Sequence, residues 1–285
     1  MVDTIRFAFD MLSFVSVMIL IVLGLGVIAS MMGIFNFAHG EFLLLGAYTA
    51  FLVTELGFNA WWSIAFAPIV VGVVGLILER IIIRRLYAAP VMAILGTYAV
   101  GLIIRETVRA LLGGHYKSVP EPWPGFFTIS EVDFSIWRSF IIATTIVVIL
   151  GSWAFLTRTS TGLMIRGSLD NPMLARACGI STARLYALTF AFGSALAGLA
   201  GALIVPLYQL SADMGVRFLI QGFLAVLLGG AGTLGGPVLG AAAVGTLIAG
   251  LPWIVTPVLA DPLSFAAALV IVKLHPQGLI SRGGK

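Results

Sequence analysis

Long apolar runs alternate with short polar interruptions along this chain, and the runs set its architecture. The first extends from Met11 to about Gly33. A second, Leu43 to Val53, is preceded by the more polar stretch Ile34 to Phe42. The third ends near Ile83, the fourth runs from Pro90 to about Leu112, the fifth from Arg138 to Leu156 and the sixth from Leu185 to about Leu210. Phe218 to Leu228 leads into a glycine-rich stretch, and apolar sequence continues to about Leu251. Pro252, Pro257 and Pro262 are expected to break the next segment, leaving a short last run from Leu263 to Leu274. Runs of about 20 apolar residues match the hydrocarbon thickness of a bilayer. In lipid, a chain of this pattern satisfies its backbone only as helices. The expected fold class is therefore all-α: a polytopic transmembrane helical bundle of about eight or nine membrane spans with two Gly-interrupted segments. It is read as a single domain over residues 1–285, since no polar stretch is long enough for a separate soluble one.

Composition narrows the class further. Of 285 residues, 60% are hydrophobic and 10% charged, against about 25% charged in soluble domains. The first apolar run is too long for the h-region of a cleavable signal peptide. A lone cysteine, Cys178, excludes an internal disulfide or a cysteine-rich metal site, and no metal is expected. The net charge of +4 reports loop orientation in a membrane protein, and nucleic acid is not an expected partner. Arg80, Arg84 and Arg85 follow the third run, Arg158, Arg166, Arg176 and Arg184 lie between the fifth and sixth, and Arg282 and Lys285 close the tail. The positive-inside rule makes these regions cytoplasmic. The loop Gly113 to Trp137, rich in proline and aromatic residues and carrying Glu121, Glu131 and Asp133, is then outside. This places the N-terminus outside and the C-terminus in the cytoplasm, with an odd number of crossings, about nine, or fewer if the glycine-rich stretch is re-entrant.

The polar stretch at about 157–184 contains a short helix marked by its caps. Asn171 is a good N-cap, Pro172 suits the first helical position, and Gly179 falls where a left-handed C-terminal cap belongs. Met173, Leu174, Ala177 and Cys178 share one face by their spacing. Two turns are unstable alone in water, so this helix needs a support, either its own bundle or a partner docking on it.

Two segments interrupt the apolar pattern, Gly33 to Gly46 and Gly229 to Gly245, one in each half of the chain. Broken helices leave backbone groups that only protein or a water-filled cavity can receive, and paired interruptions of this kind point to a transport path. The first contains Asn36, Phe37, His39 and Glu41, and the second Gly229, Gly230, Gly232, Gly235 and Gly236. A carboxylate in a membrane segment is costly and ordinarily faces a cavity or a partner. Glu41 either lines the path with Asn36 and His39, or caps the second span, pairs with His39 and sits near the cytoplasmic surface, where counting along the span places it. Arg105, Glu106 and Arg109 read as a structural charge set near the outer surface. The glycine-rich run lacks the Gly-Lys-Ser/Thr ending of a P-loop. None of the three histidines lies in an HExxH pattern and there is no GxSxG elbow, so no catalytic residue is assigned.

Four stretches carry a family resemblance. Phe35–Tyr48 (FNFAHGEFLLLGAY) resembles the signature near the start of branched-chain amino acid ABC transporter permeases. Gly162–Ile180, with Arg166, Asp170, Ala175, Ala177 and Gly179, resembles their cytoplasmic coupling loop. Leu227–Ala241 (LLGGAGTLGGPVLGA) is similar to their glycine-rich segment, and Pro276–Leu279 to their Arg-Pro-x-Gly-Leu tail, with His275 where arginine is usual. The resemblance implies a LivH-type subunit in a bacterial inner membrane. It implies ATPase coupling through Arg166 and through Asp170 to Gly179, that is Asp170, Asn171, Pro172, Met173, Leu174, Ala175, Arg176, Ala177 and Gly179. It implies as partners a second, LivM-type permease, two cytoplasmic ATPase subunits and a periplasmic substrate-binding protein. ATP–Mg would then be bound by the partners, and no cofactor by this chain. The substrate implied is a branched-chain or hydrophobic amino acid. Urea and short-chain amides are alternatives, because the family includes their permeases. A self-contained secondary transporter or channel is the reading from another class.

Overall fold

The structure is a computed structural model that describes residues 2–33, 35–87, 89–113, 115–129, 131–230, 235–275 and 278–279. Its helices are α1 (Val2–Met32), α2 (His39–Glu55), α3 (Trp61–Ile81), α4 (Pro90–Leu112), α5 (Ile136–Arg158), α6 (Ser160–Asp170), α7 (Pro172–Ala177), α8 (Thr182–Ile204), α9 (Met214–Gly229), α10 (Gly235–Gly250) and α11 (Pro257–Leu274). The protein is a helical bundle of membrane type. Among the described residues, six segments are long and apolar enough to cross a bilayer: Asp3–Ser30, Trp61–Arg85, Val91–Leu111, Ile136–Arg158, Thr182–Ile204 and Gly235–Trp253.

One element departs from an all-α reading. A hairpin of β1 (Phe126–Ile129) and β2 (Val132–Ser135) pairs antiparallel within the proline-rich loop, Phe126 opposite Ser135 and Ile129 opposite Val132. Alternating Phe, Thr, Val and Asp favours strand over helix there. Ser135 then caps α5, its hydroxyl accepting from the Arg138 N–H at 3.3 Å. The last helix also differs from expectation. Pro257 opens α11, where its missing N–H costs nothing, and Pro262 is carried inside the helix.

Helices α1 and α8 are mostly buried, whereas α3, α4 and α5 are mostly exposed. The exposed faces are apolar (Ile69, Val73, Ile103, Val147, Leu150), which suits lipid. Between apolar helices in lipid there is little hydrophobic drive, so association rests on close packing of small residues. Helix α8 provides them. Gly193 meets α1 at Gly24 and Ile28, Gly201 lies against the Leu43 carbonyl and Ala47 of α2, and Gly198 backs onto both Gly46 of α2 and Val71 of α3. At Gly201 a side chain would run into backbone.

The two ends of the bundle are distinct. At one, Asp10 of α1 pairs with Arg138 of α5 at 2.5 Å, Phe7 packs edge-on against Trp253, and Phe9 against Phe134 of the hairpin. At the other lie α6 and α7. Gly201→Leu is expected to cost about 1–3 kcal/mol or more through overpacking and to lower the melting temperature of the purified protein in detergent. Gly151→Leu, at a glycine with nothing within 4 Å, should leave it unchanged.

Candidate functional site

The first interruption is short. Helix α1 ends at Met32, and α2 starts at His39, so the chain is helical through most of Gly33–Gly46. Phe35 to Ala38 form the non-helical link. Four backbone donors here find partners inside the bundle, as the membrane requires. The Phe37 N–H donates to Thr97 Oγ1 of α4 at 3.2 Å, and the Ala38 N–H to Asn36 Oδ1 at 3.0 Å. The His39 N–H donates to the Asn36 carbonyl at 3.3 Å, and that of Glu41 to the Ala38 carbonyl at 3.0 Å. Asn36 thus closes the turn that starts α2, a role open to its short amide side chain.

Of the two alternatives for this segment, the one that pairs Glu41 with His39 near the surface does not match the contacts found. His39 is buried, and its Nε2–H donates to the Ile21 carbonyl of α1 at 3.1 Å. Ile21 lies about 16 Å back along α1 from its end at Met32. The link therefore returns into the interior, and Glu41 sits there with no exposed surface. Glu41 does not pair with His39. Its Oε1 accepts from Arg105 of α4, with Nε at 3.0 Å and the guanidinium NH2 also in contact. Two hydrogen bonds to one oxygen are the stronger, charge-assisted kind. Arg105 thus has a role that helix spacing alone hid. The signal in the sequence was an arginine inside an apolar run, which demands an opposite charge elsewhere in the membrane. Arg109, one turn further, pairs with Glu106 and with Asp213 just before α9, both at 2.6 Å. Thr97 and Asp213 were likewise not foreseen.

Helix α9 lies alongside this segment. Gly40 and Gly215 face each other with room for no side chain, and Phe35 and Phe37 pack on Phe223 at ring-centroid distances of 5.6 and 4.7 Å. Phe42 is fully buried against Phe190 of α8.

The second interruption lies at the other end of α9. Helix α9 stops at Gly229, Gly230 has φ +91°, and α10 starts at Gly235; Gly232 lies outside the described residues. Gly235–Gly245 is helical, so this break too is narrower than the glycine pattern. Gly229 backs onto Gly236, and Gly240 onto the Ala225 carbonyl. Gly278 fits against Gly230, and the Leu279 N–H donates to the Leu228 carbonyl at 2.8 Å. Gly215 and Gly229 are about 21 Å apart along α9, so the two sets of candidate residues form two sites bordering one helix.

The polar stretch between α5 and α8 is more helical than its composition suggests. Arg166 and Asp170 belong to α6, whose N-cap Thr159 accepts from the Gly162 N–H at 3.0 Å. Helix α7 has the expected caps. Asn171 Oδ1 accepts from the Leu174 N–H at 3.0 Å. Gly179, at φ +80°, donates to the Arg176 carbonyl while Ile180 donates to that of Ala175, the paired bonds of a Schellman ending. Only Ala175 of this helix is buried. Met173 is 80% and Leu174 60% exposed, and Ala177 and Cys178 are exposed beside them. Arg176 Nε donates to Thr182 Oγ1 at 3.1 Å and ties α7 to the start of α8. The bundle holds α7 at its base and leaves its apolar face free.

A polytopic bundle with a broken helix inside and a capped, projecting helix at one end has the form of a membrane transport subunit. The chain belongs to the family described as branched-chain amino acid transport system / permease component, whose model matches residues 7–272. Members of such a family are permeases rather than enzymes. The chain is 28% identical over 280 residues to the high-affinity branched-chain amino acid transport system permease protein BraD of Pseudomonas aeruginosa, covering 92% of this chain and 91% of the relative. It is 24% identical over 279 residues to LivH of Escherichia coli K12, with the same coverage. It is 28% identical over 244 residues to a probable LivH of Methanocaldococcus jannaschii, covering 81% and 75%. No solved structure matches it significantly.

Arg105→Met would strand the buried Glu41 carboxylate. The expected cost is about 3–5 kcal/mol, read as a lower melting temperature in detergent. The double variant Glu41→Gln/Arg105→Gln should lose much less than the sum of the two single changes.

Proposed function

We propose that the chain is the membrane-spanning subunit of an ATP-binding-cassette importer and forms half of a path for branched-chain or other hydrophobic amino acids. The free, doubly capped face of α7 carries this reading. A two-turn helix exposing Met173 and Leu174 is the shape of a knob for a soluble partner, in the helix-in-groove manner. In the proposal the partners are two cytoplasmic ATPases, which bind and hydrolyse ATP–Mg, a second LivM-type permease and a periplasmic binding protein that delivers substrate. The chain itself binds no cofactor. Closure of the ATPases on ATP pushes α7, and the Arg176–Thr182 bond passes the motion to α8.

In this reading nine helices (α1 to α5 and α8 to α11) pass through a bacterial inner membrane, with the N-terminus outside and the C-terminus in the cytoplasm. The hairpin end is then the outer end, and the arginines around α6, α7 and the start of α8 are inside. The path runs beside the Asn36–Glu41 segment and the Gly229–Gly236 break, on the two ends of α9. Phe35, Phe37 and Phe223 give its flank an apolar character suited to aliphatic side chains. A self-contained secondary transporter is less well supported, because Glu41, the intramembrane carboxylate it would use for ion coupling, is engaged with Arg105.

The test is uptake of labelled leucine by proteoliposomes holding the purified complex. Leu174→Asp and Ala177→Asp should reduce uptake and coupled ATP hydrolysis at least about tenfold, the scale of an interface hot spot, while the folded yield of the chain is unchanged. Normal uptake by both variants would exclude α7 as the coupling element.

A further inference from the structure

A cleft opens where α3 and α8 separate at the α7 end, with a volume of about 440 Å³. Higher up, Gly72 and Gly75 of α3 bring the helices together against Ala191, Ser194 and Ala195 of α8. Beyond Gly75 the glycines stop and large residues take over. The floor of the cleft is apolar, made by Leu76 and Leu188, and Leu188 is 55% exposed. Its rim carries the guanidinium groups of Arg80, Arg84 and Arg184. All three are exposed, and none enters an ion pair among the described residues.

One carboxylate shares the cleft. Glu79 is fully buried and held by the Tyr87 hydroxyl, which donates to its Oε1 at 2.7 Å. Its Oε2 is buried without a partner. Even with Glu79 ionised, the cleft keeps an excess of positive charge. Three cations are thus grouped over an apolar floor at one edge of the bundle, where the helices leave the bilayer.

We propose that this cleft binds an anionic phospholipid of the inner leaflet, with the phosphate on Arg80, Arg84 and Arg184 and an acyl chain on Leu76 and Leu188. The two-part lining matches a molecule that is anionic at one end and apolar at the other. Guanidinium groups suit phosphate because they donate paired hydrogen bonds in a fixed plane. Basic pockets between helices on the cytoplasmic side are recognised sites for such headgroups. An acidic segment of a partner protein would satisfy the arginines and leave the leucine floor in water. Ser181 and Ala183 of the cleft flank Thr182, which anchors α7, so the bound lipid braces the base of that helix. The inference rests on the cytoplasmic placement of the α7 end.

The test is made on the full-length chain, purified in mild detergent with whatever subunits accompany it. Native mass spectrometry is expected to show phosphatidylglycerol or cardiolipin retained. After delipidation, added phosphatidylglycerol should raise the melting temperature, and phosphatidylcholine should not. Affinity should fall about fivefold for each arginine replaced by glutamine, the scale of one basic residue at an anionic surface. Arg→Lys at the same positions keeps the charge but not the paired donors, and should bind more weakly than the native chain and more tightly than Arg→Gln. Leu188→Asn, which makes the floor polar without adding charge, should also weaken binding. Equal binding of phosphatidylcholine, protection by inorganic phosphate alone, or unchanged retention by the folded triple Arg→Gln variant would each overturn the proposal. None of these readouts requires transport, so a failed lipid site and a failed permease reading remain distinguishable.

Discussion

Backbone meeting backbone is the interaction on which this bundle depends. In lipid, apolar side chains gain little by leaving one apolar surface for another, so tight contact must supply the association energy. Helix α8 obtains that contact by having almost no side chain where it crosses α1, α2 and α3. Gly193, Gly198 and Gly201 face Gly24, Gly46, Leu43 and Val71. Many large apolar residues of α3, α4 and α5 turn outward.

That tight centre is what lets a broken helix exist beside it. The link between α1 and α2 carries peptide groups into a region with little water, and each needs a partner from the surrounding helices. Asn36 and Thr97 supply two of them. The Glu41–Arg105 pair fastens the start of α2 to α4, and the Gly40–Gly215 contact fastens it to α9. Four helices thereby converge on a segment of six residues. Both interruptions border α9, but at opposite ends, which separates a charged, sealed site from a glycine-built one stapled by the C-terminal segment.

Much of this was legible in the sequence where the signal is local. The caps of α7 follow from Asn171, Pro172 and Gly179 alone, because capping bonds reach only a few residues along the chain. Apolar run lengths located the long helices for the same reason. The partner of Glu41 was not legible: Arg105 lies 64 positions away, and no local period connects residues on different helices. The depth of His39 stayed open in the sequence, because counting assumes that each span starts at a membrane surface. A chain that folds back into the interior before starting its helix defeats that assumption. The glycine runs are wider than the non-helical stretches seen among the described residues. Glycine also serves close helix packing, and Gly46 and Gly240 do that inside regular helix.

The attachment of α7 has a mechanical consequence. Side chains in contact absorb small displacements by changing rotamer, and so act as compliant padding. Glycine contacts have no such slack. Under the proposed coupling, a push on α7 would pass through the Arg176–Thr182 bond into a helix seated against three neighbours at glycines. Helix α8 would then act as a stiff axle, whose strokes reach the buried half of the bundle almost undamped, while the lipid-facing helices α4 and α5 lag behind it.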